Sequence, residues 1–229
     1  KEVLDPDWLG IYVNADDIEA DIRRHGFLAL GDFGVEATED ELHAFFADSA
    51  LLRKSDLLEA ALKIRLQDGR VVFGAVEVNS YFSSVLVDFI RHDLVRRKVS
   101  FTFETVMSAH AKVEFFCKAR EQGFRTYLYY VATEDPEINV SRVAHRVSMG
   151  KHDVPREKIV ERYHRSLDYL ADAVMCSDRA YVFDNSTAER VWVAEITDGA
   201  DLEMKTDSMP YWFKTALLDK LAADEPGQE

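Results

Sequence analysis

Short apolar runs, each ending on a polar or acidic residue and each followed by a stretch of helical spacing, restrict this chain to an α/β arrangement. Leu9 to Val13 reads as a strand leading into Asn14-Ala15-Asp16. Helix is then expected from Asp16 to Arg24, with acids in the first turn where the helix dipole favours them. Thr38 followed by Glu41 is a capping-box signature for a helix over 38–48, and 50–67 is expected to continue as helix until Asp68-Gly69 breaks it. Val71 to Phe73 reads as a small strand. Apolar residues at helical spacing (Val85, Leu86, Phe89, Ile90, Leu94) place an amphipathic helix over Tyr81 to Arg97.

The second half repeats the alternation. Val99 to Phe103 is a short strand closing on Glu104, and 108–121 a helix stopped by Gly123. Arg125 to Val131 is rich in β-branched and aromatic residues and reads as a buried strand. Asp135-Pro136 opens a helix to about Met149, and Pro155 opens another to about Cys176. Ala180 to Asp184 is the last core strand. A hairpin around Asp198-Gly199 and a helix near 210–222 complete the pattern. Alternating strands and helices imply a parallel sheet covered on both faces, with ligands beyond the carboxyl ends of its strands. Asp16, Glu104 and Asp184-Asn185 all follow strands, so they are expected to converge on one edge.

Composition narrows the partners. The 229 residues carry a net charge of −14, which argues against a general nucleic-acid binder, since phosphate backbones call for dense Lys/Arg surfaces. Residues 142–165 are a local exception with seven basic residues. No apolar run approaches the roughly 18–20 residues of a membrane span. Cys117 and Cys176 lie far apart without metal-type spacing, so neither a disulfide framework nor a metal site is expected, and a reducing cytoplasm fits better. The two cysteines are read as core residues on amphipathic helices.

Asn14-Ala15-Asp16, Phe103-Glu104-Thr105, the block Arg142…Arg146…Gly150…His152…Val154-Pro155…Arg162-Tyr163, and Asp184-Asn185-Ser186 occur in an order that resembles the zeta-toxin family of P-loop kinases. The likeness covers 9–24 and 99–187. It implies a single kinase-like α/β domain over 1–229 and a lid-like, arginine-rich region over 138–166. It also implies ATP-dependent phosphorylation of a small-molecule hydroxyl, such as that of uridine diphosphate N-acetylglucosamine. ATP and Mg²⁺ are the implied cofactors, and an antitoxin protein is an implied partner. Two departures stand out. No G-x-x-x-x-G-K-[ST] phosphate loop occurs in these residues, so the opening strand and nucleotide cradle are expected upstream of Lys1 and this chain alone is expected to be inactive. Residues 30–98 exceed the family's usual connection and read as an inserted, mainly helical subdomain.

Each candidate has a mechanistic and a plain structural reading. Asp16 accepts the proton of a substrate hydroxyl, as catalytic aspartates do in kinases, or it shares helix capping with Asn14. Glu104, with Asn14 and Thr105 beside it, binds the substrate, or is a polar residue at the mouth of a sheet. Arg142 and Arg146, one turn apart, join Arg162 in a guanidinium set for phosphate oxygens, or form a solvated helix face. His152 shapes the turn between them. The rival to a kinase is a kinase-like scaffold that binds a protein partner. A third reading keeps ATP and changes the acceptor to an antibiotic, a nucleoside or a nucleic-acid end.

Overall fold

The computed structural model describes residues 9–149 and 153–224, and its chain forms two compact units, Lys1–Thr105 and Val106–Glu229. Both are α/β, and their sheets are mixed rather than one continuous parallel sheet.

In the first unit, β1 (Ile11–Val13) pairs in parallel with β5 (Phe101–Phe103), Tyr12 lying opposite Thr102. Helix α1 (Ala15–His25) follows β1 because Asn14 caps it. It ends at Gly26, whose φ of 79° suits a residue without Cβ. Ile18 and Ile22, four residues apart, turn one face of α1 inward, where it packs on α5 (Ser80–Arg96). Asn79 caps α5, its Oδ1 accepting from the Tyr81 and Phe82 amides at 3.0 and 3.2 Å.

The segment between α1 and α5 carries both helices and strands. The capping box of α2 (Glu39–Asp48) is present in both directions: Thr38 N–H donates to Glu41 at 2.8 Å, and Glu41 N–H to Thr38 Oγ1 at 3.3 Å. The helix expected over 50–67 is not continuous. It consists of α3 (Ala50–Lys54) and α4 (Leu58–Ala61), separated at Asp56 by a positive φ of 55°. Arg65–Gln67 is then strand β3, which alternates exposed, half-buried, exposed, the two-residue period of a sheet. Asp68 and Gly69, with φ of 49° and 72°, form a hairpin turn into β4 (Arg70–Val72) rather than a helix stop. β4 also pairs with β2 (Phe27–Ala29), giving the antiparallel order β2-β4-β3. Phe46, Phe82, Leu86 and Ile90 centre the core that joins this region to α1 and β1.

The second unit holds a four-stranded sheet in the order β6 (Tyr127–Ala132), β7 (Arg179–Asp184), β8 (Val191–Thr197) and β9 (Asp201–Met204). Only β6 and β7 run parallel; β8 and β9 add antiparallel strands, with a bulge at Val182/Phe183. Tyr130, Ala132, Ala180 and Val182 face a core shared with α9 (Leu170–Met175) and the C-terminal helices α10 (Tyr211–Phe213) and α11 (Asp219–Asp224). β6 is therefore not buried on both faces, since Tyr127 and Val131 are exposed. The helix expected from Pro155 to Cys176 divides at Tyr169 into α8 (Arg156–Asp168) and α9.

The cysteines overturn an expectation. Cys117, on α6 (His110–Glu121), and Cys176, which caps α9, form a disulfide with Cα atoms 4.8 Å apart. The two helices pack together, so residues 59 apart in sequence meet, and cysteine usage no longer argues for a reducing compartment. Among the described residues no helix is long and apolar enough to cross a membrane.

Candidate functional site

One asparagine side chain ties the first turn of α1 to Glu104. Asn14 sits just past β1, and its Oδ1 accepts from the backbone N–H groups of Asp16 at 2.8 Å and Asp17 at 3.1 Å. That cap fixes which end of the amide is oxygen. Its Nδ2 therefore faces the other way and donates to Glu104 Oε2 at 3.1 Å. Glu104 continues the β1–β5 ladder, its N–H donating to Val13 O at 3.2 Å. One amide thus links the start of α1, where Asp16 lies, to the Glu104 carboxylate 88 residues away, because their strands run side by side.

Tyr12 is the residue that sequence reasoning missed. Its hydroxyl donates to the same Glu104 Oε2 and receives a hydrogen bond from Asn14 Nδ2 at 3.3 Å. Burial, and then the hydrogen bond to Glu104, push the phenol up to about 12, so it stays a protonated donor at neutral pH. A tyrosine in a strand is ordinary for β structure, and nothing local marks this one; only its period-two relation to Asn14 hints that the two share a face. Glu104 Oε1 and the Asp16 carboxylate make no hydrogen bond or ion pair among the described residues, and both residues are exposed. Thr105 follows Glu104 and is also exposed. These acids are available acceptors on a fixed frame.

The arginines belong to the second unit. Helix α7 (Pro136–Ser148), capped by Asp135 with proline in its first turn, pairs with α8 as a helical hairpin, and neither helix buries a residue. Glu137 pairs with Arg156 across it. Tyr163 anchors the hairpin, donating to the carbonyls of Thr133 at 2.8 Å and Glu134 at 3.2 Å at the end of β6. Arg142 is half-buried and reaches Thr187 O at 3.4 Å, a weak tie to the β7–β8 connection. Arg146 and Arg162 are exposed and form no ion pair among the described residues. Gly150, Lys151 and His152 lie outside the described residues.

Asp184 ends β7 in the second unit. It is buried, and its oxygens accept from Ser186 N–H (2.9 Å), Ser186 Oγ (3.0 Å) and Trp212 Nε1 (2.6 Å). Its work is to lock the end of β7 to α10. Two open hollows, of about 400 and 290 Å³, lie in the first unit, and neither is lined by Asn14, Asp16 or Glu104. Among the described residues no group of three or more His, Cys, Asp or Glu is arranged to hold a metal ion.

No protein-family profile matches this chain, and no solved structure matches it. A Haemophilus influenzae protein described as an uncharacterized protein is 28% identical over 72 residues, which is 31% of this chain. The chain spans about half the length of that relative, 51%.

Proposed function

We propose that the protein belongs with the zeta-toxin-like P-loop kinases and that its first unit receives a small-molecule hydroxyl for ATP-dependent phosphorylation, a nucleotide sugar being the leading acceptor. The observation that carries the reading is the Asn14 bridge, which holds Asp16 by its backbone and Glu104 by its carboxylate while leaving each acid an unengaged oxygen. ATP supplies the phosphoryl group and Mg²⁺ the charge neutralisation. The chain's donor sets suit these groups: exposed guanidinium forks fit phosphate oxygens, and free carboxylate oxygens fit a hard cation. The reading also needs a phosphate cradle that these 229 residues do not contain.

In this mechanism Asp16 orients the acceptor hydroxyl and takes its proton as the oxygen becomes a nucleophile. Glu104 holds a second donor of the acceptor. Arg146 and Arg162, with Arg142 in a lesser part, neutralise the phosphate oxygens as charge redistributes. The test is ATP consumption by the full-length protein with Mg²⁺ and a panel of uridine diphosphate sugars. Asp16→Asn should lower kcat by about 10²–10⁴. Equal rates in the variant and wild type would remove Asp16 as the base.

A further inference from the structure

The structure assigns Tyr12 as the positioning residue of the acceptor site: it and Asn14 saturate one oxygen of Glu104, so that the other is held outward for a ligand hydroxyl. This rests on the acceptor reading above. Because Tyr12 lies opposite Thr102 in a parallel pair, Tyr12, Asn14 and Glu104 fall on one face of β1–β5 at the two-residue period of strands. A glutamate beyond a strand end would otherwise swing among rotamers. Two donors converging on Oε2 remove that freedom and leave Oε1 as the acceptor with capacity to spare.

Tyr12 and Asn14 divide the labour. Asn14 is already committed to the start of α1 through Asp16 and Asp17, so its removal disturbs the helix as well as the acid. Tyr12 makes no side-chain bond to the first amides of α1 as Asn14 does, and its hydroxyl donates to Glu104 Oε2. The outward groups of the site, Glu104 Oε1 and the Asp16 carboxylate, only accept. The part of the ligand they meet must therefore donate, as neighbouring hydroxyls of a sugar do, and must not be a phosphate or carboxylate.

Tyr12→Phe separates positioning from folding, since it keeps the ring and deletes one oxygen. In the 229-residue chain the Glu104 carboxylate carbon, identified by its loss in Glu104→Gln, should move in the ¹³C spectrum of Tyr12→Phe. An unmoved signal overturns the contact. In the intact protein, with whichever hydroxyl acceptor the wild type turns over, Tyr12→Phe should raise the acceptor KM about tenfold, the loss expected for a hydrogen bond to a charged group. The ATP KM should stay as in wild type. An active wild type with an unchanged acceptor KM in Tyr12→Phe overturns this inference alone. A wild type that phosphorylates no hydroxyl acceptor overturns the kinase reading and this inference with it.

Discussion

Asn14 carries two duties that substitution can separate. Asn14→Ala removes the cap of α1 and the donor to Glu104 together, and should cost about 1 kcal/mol in urea denaturation, the usual loss for an N-cap. Asn14→Asp keeps a good cap but replaces the donor with a like charge beside Glu104. It should therefore hold stability near wild type while abolishing acceptor binding. If both variants lose stability equally, the cap is not what Asn14 contributes. The phenols give a pH signature. Tyr12 and Tyr163 titrate at about 12 in the folded chain, each raised chiefly by burial, against about 10 when unfolded. Their contribution is complete below pH about 10 and disappears as pH rises through about 12. Denaturation midpoints should fall across that window, and the double variant Tyr12→Phe/Tyr163→Phe should fall less than wild type. A parallel fall in both would show that these hydroxyls are not involved. The cap at Asn14 was legible because its signal is local, an Asn two residues before Asp16 at a strand–helix junction. The role of Tyr12 was not, because its partner lies 92 residues away.

Among the elements, two Asp-Gly turns of like conformation test how much of a glycine requirement is backbone and how much is space. Gly69 and Gly199 have φ of 72° and 73°, a region that costs other residues roughly 1–2 kcal/mol. A Cβ on Gly69 meets nothing within 4 Å, whereas on Gly199 it would lie 3.1 Å from the Met175 Cα and 3.0 Å from its Sδ. Gly69→Ala should therefore cost about 1 kcal/mol, and Gly199→Ala clearly more, because the obstacle includes backbone. Matched losses in thermal denaturation would mean the β8–β9 turn can shift away from α9. The two turns also show where sequence reading divides. The hairpin at Asp198-Gly199 was legible because short apolar segments flank an Asp-Gly pair. The one at Asp68-Gly69 was misread as a helix stop, because Arg65–Gln67 is too short and polar to display its period. The capping box at Thr38 and the proline start at Pro136 were legible for the opposite reason: a cap is specified by residues within one turn of each other.

Across the whole molecule, what sequence concealed is what depends on distant segments meeting. The second unit's core is pinned at one end by a compact polar network around the disulfide. Arg120 Nη1 donates to Met175 O at 2.8 Å and its guanidinium pairs with Asp178 and Asp198. Thr126 N–H donates to Asp178 Oδ2 at 2.6 Å, and Thr126 Oγ1 donates to Cys176 O at 2.9 Å. The Thr126 amide holds the Asp178 carboxyl below the usual carboxylate range, so this network loses strength as pH falls through that lowered value. Closing 59 residues of chain restricts the unfolded ensemble by up to about 4 kcal/mol in the chain-entropy account. Because the polar network holds α6 and α9 without the sulfurs, reduction should weaken the unit without dissolving it. Cys117→Ser, or wild type in reductant, should keep its far-ultraviolet circular dichroism while its thermal midpoint drops. Hydrogen exchange should quicken first along α6, α9 and the Thr126–Asp178 junction. Adding Arg120→Ala should then cost more in the reduced protein than in the oxidised one, since each tie backs up the other. Additive losses would show that the disulfide and the arginine restrain different motions. Collapse of the circular dichroism on reduction alone would make the covalent bond the sole support of this end of the core.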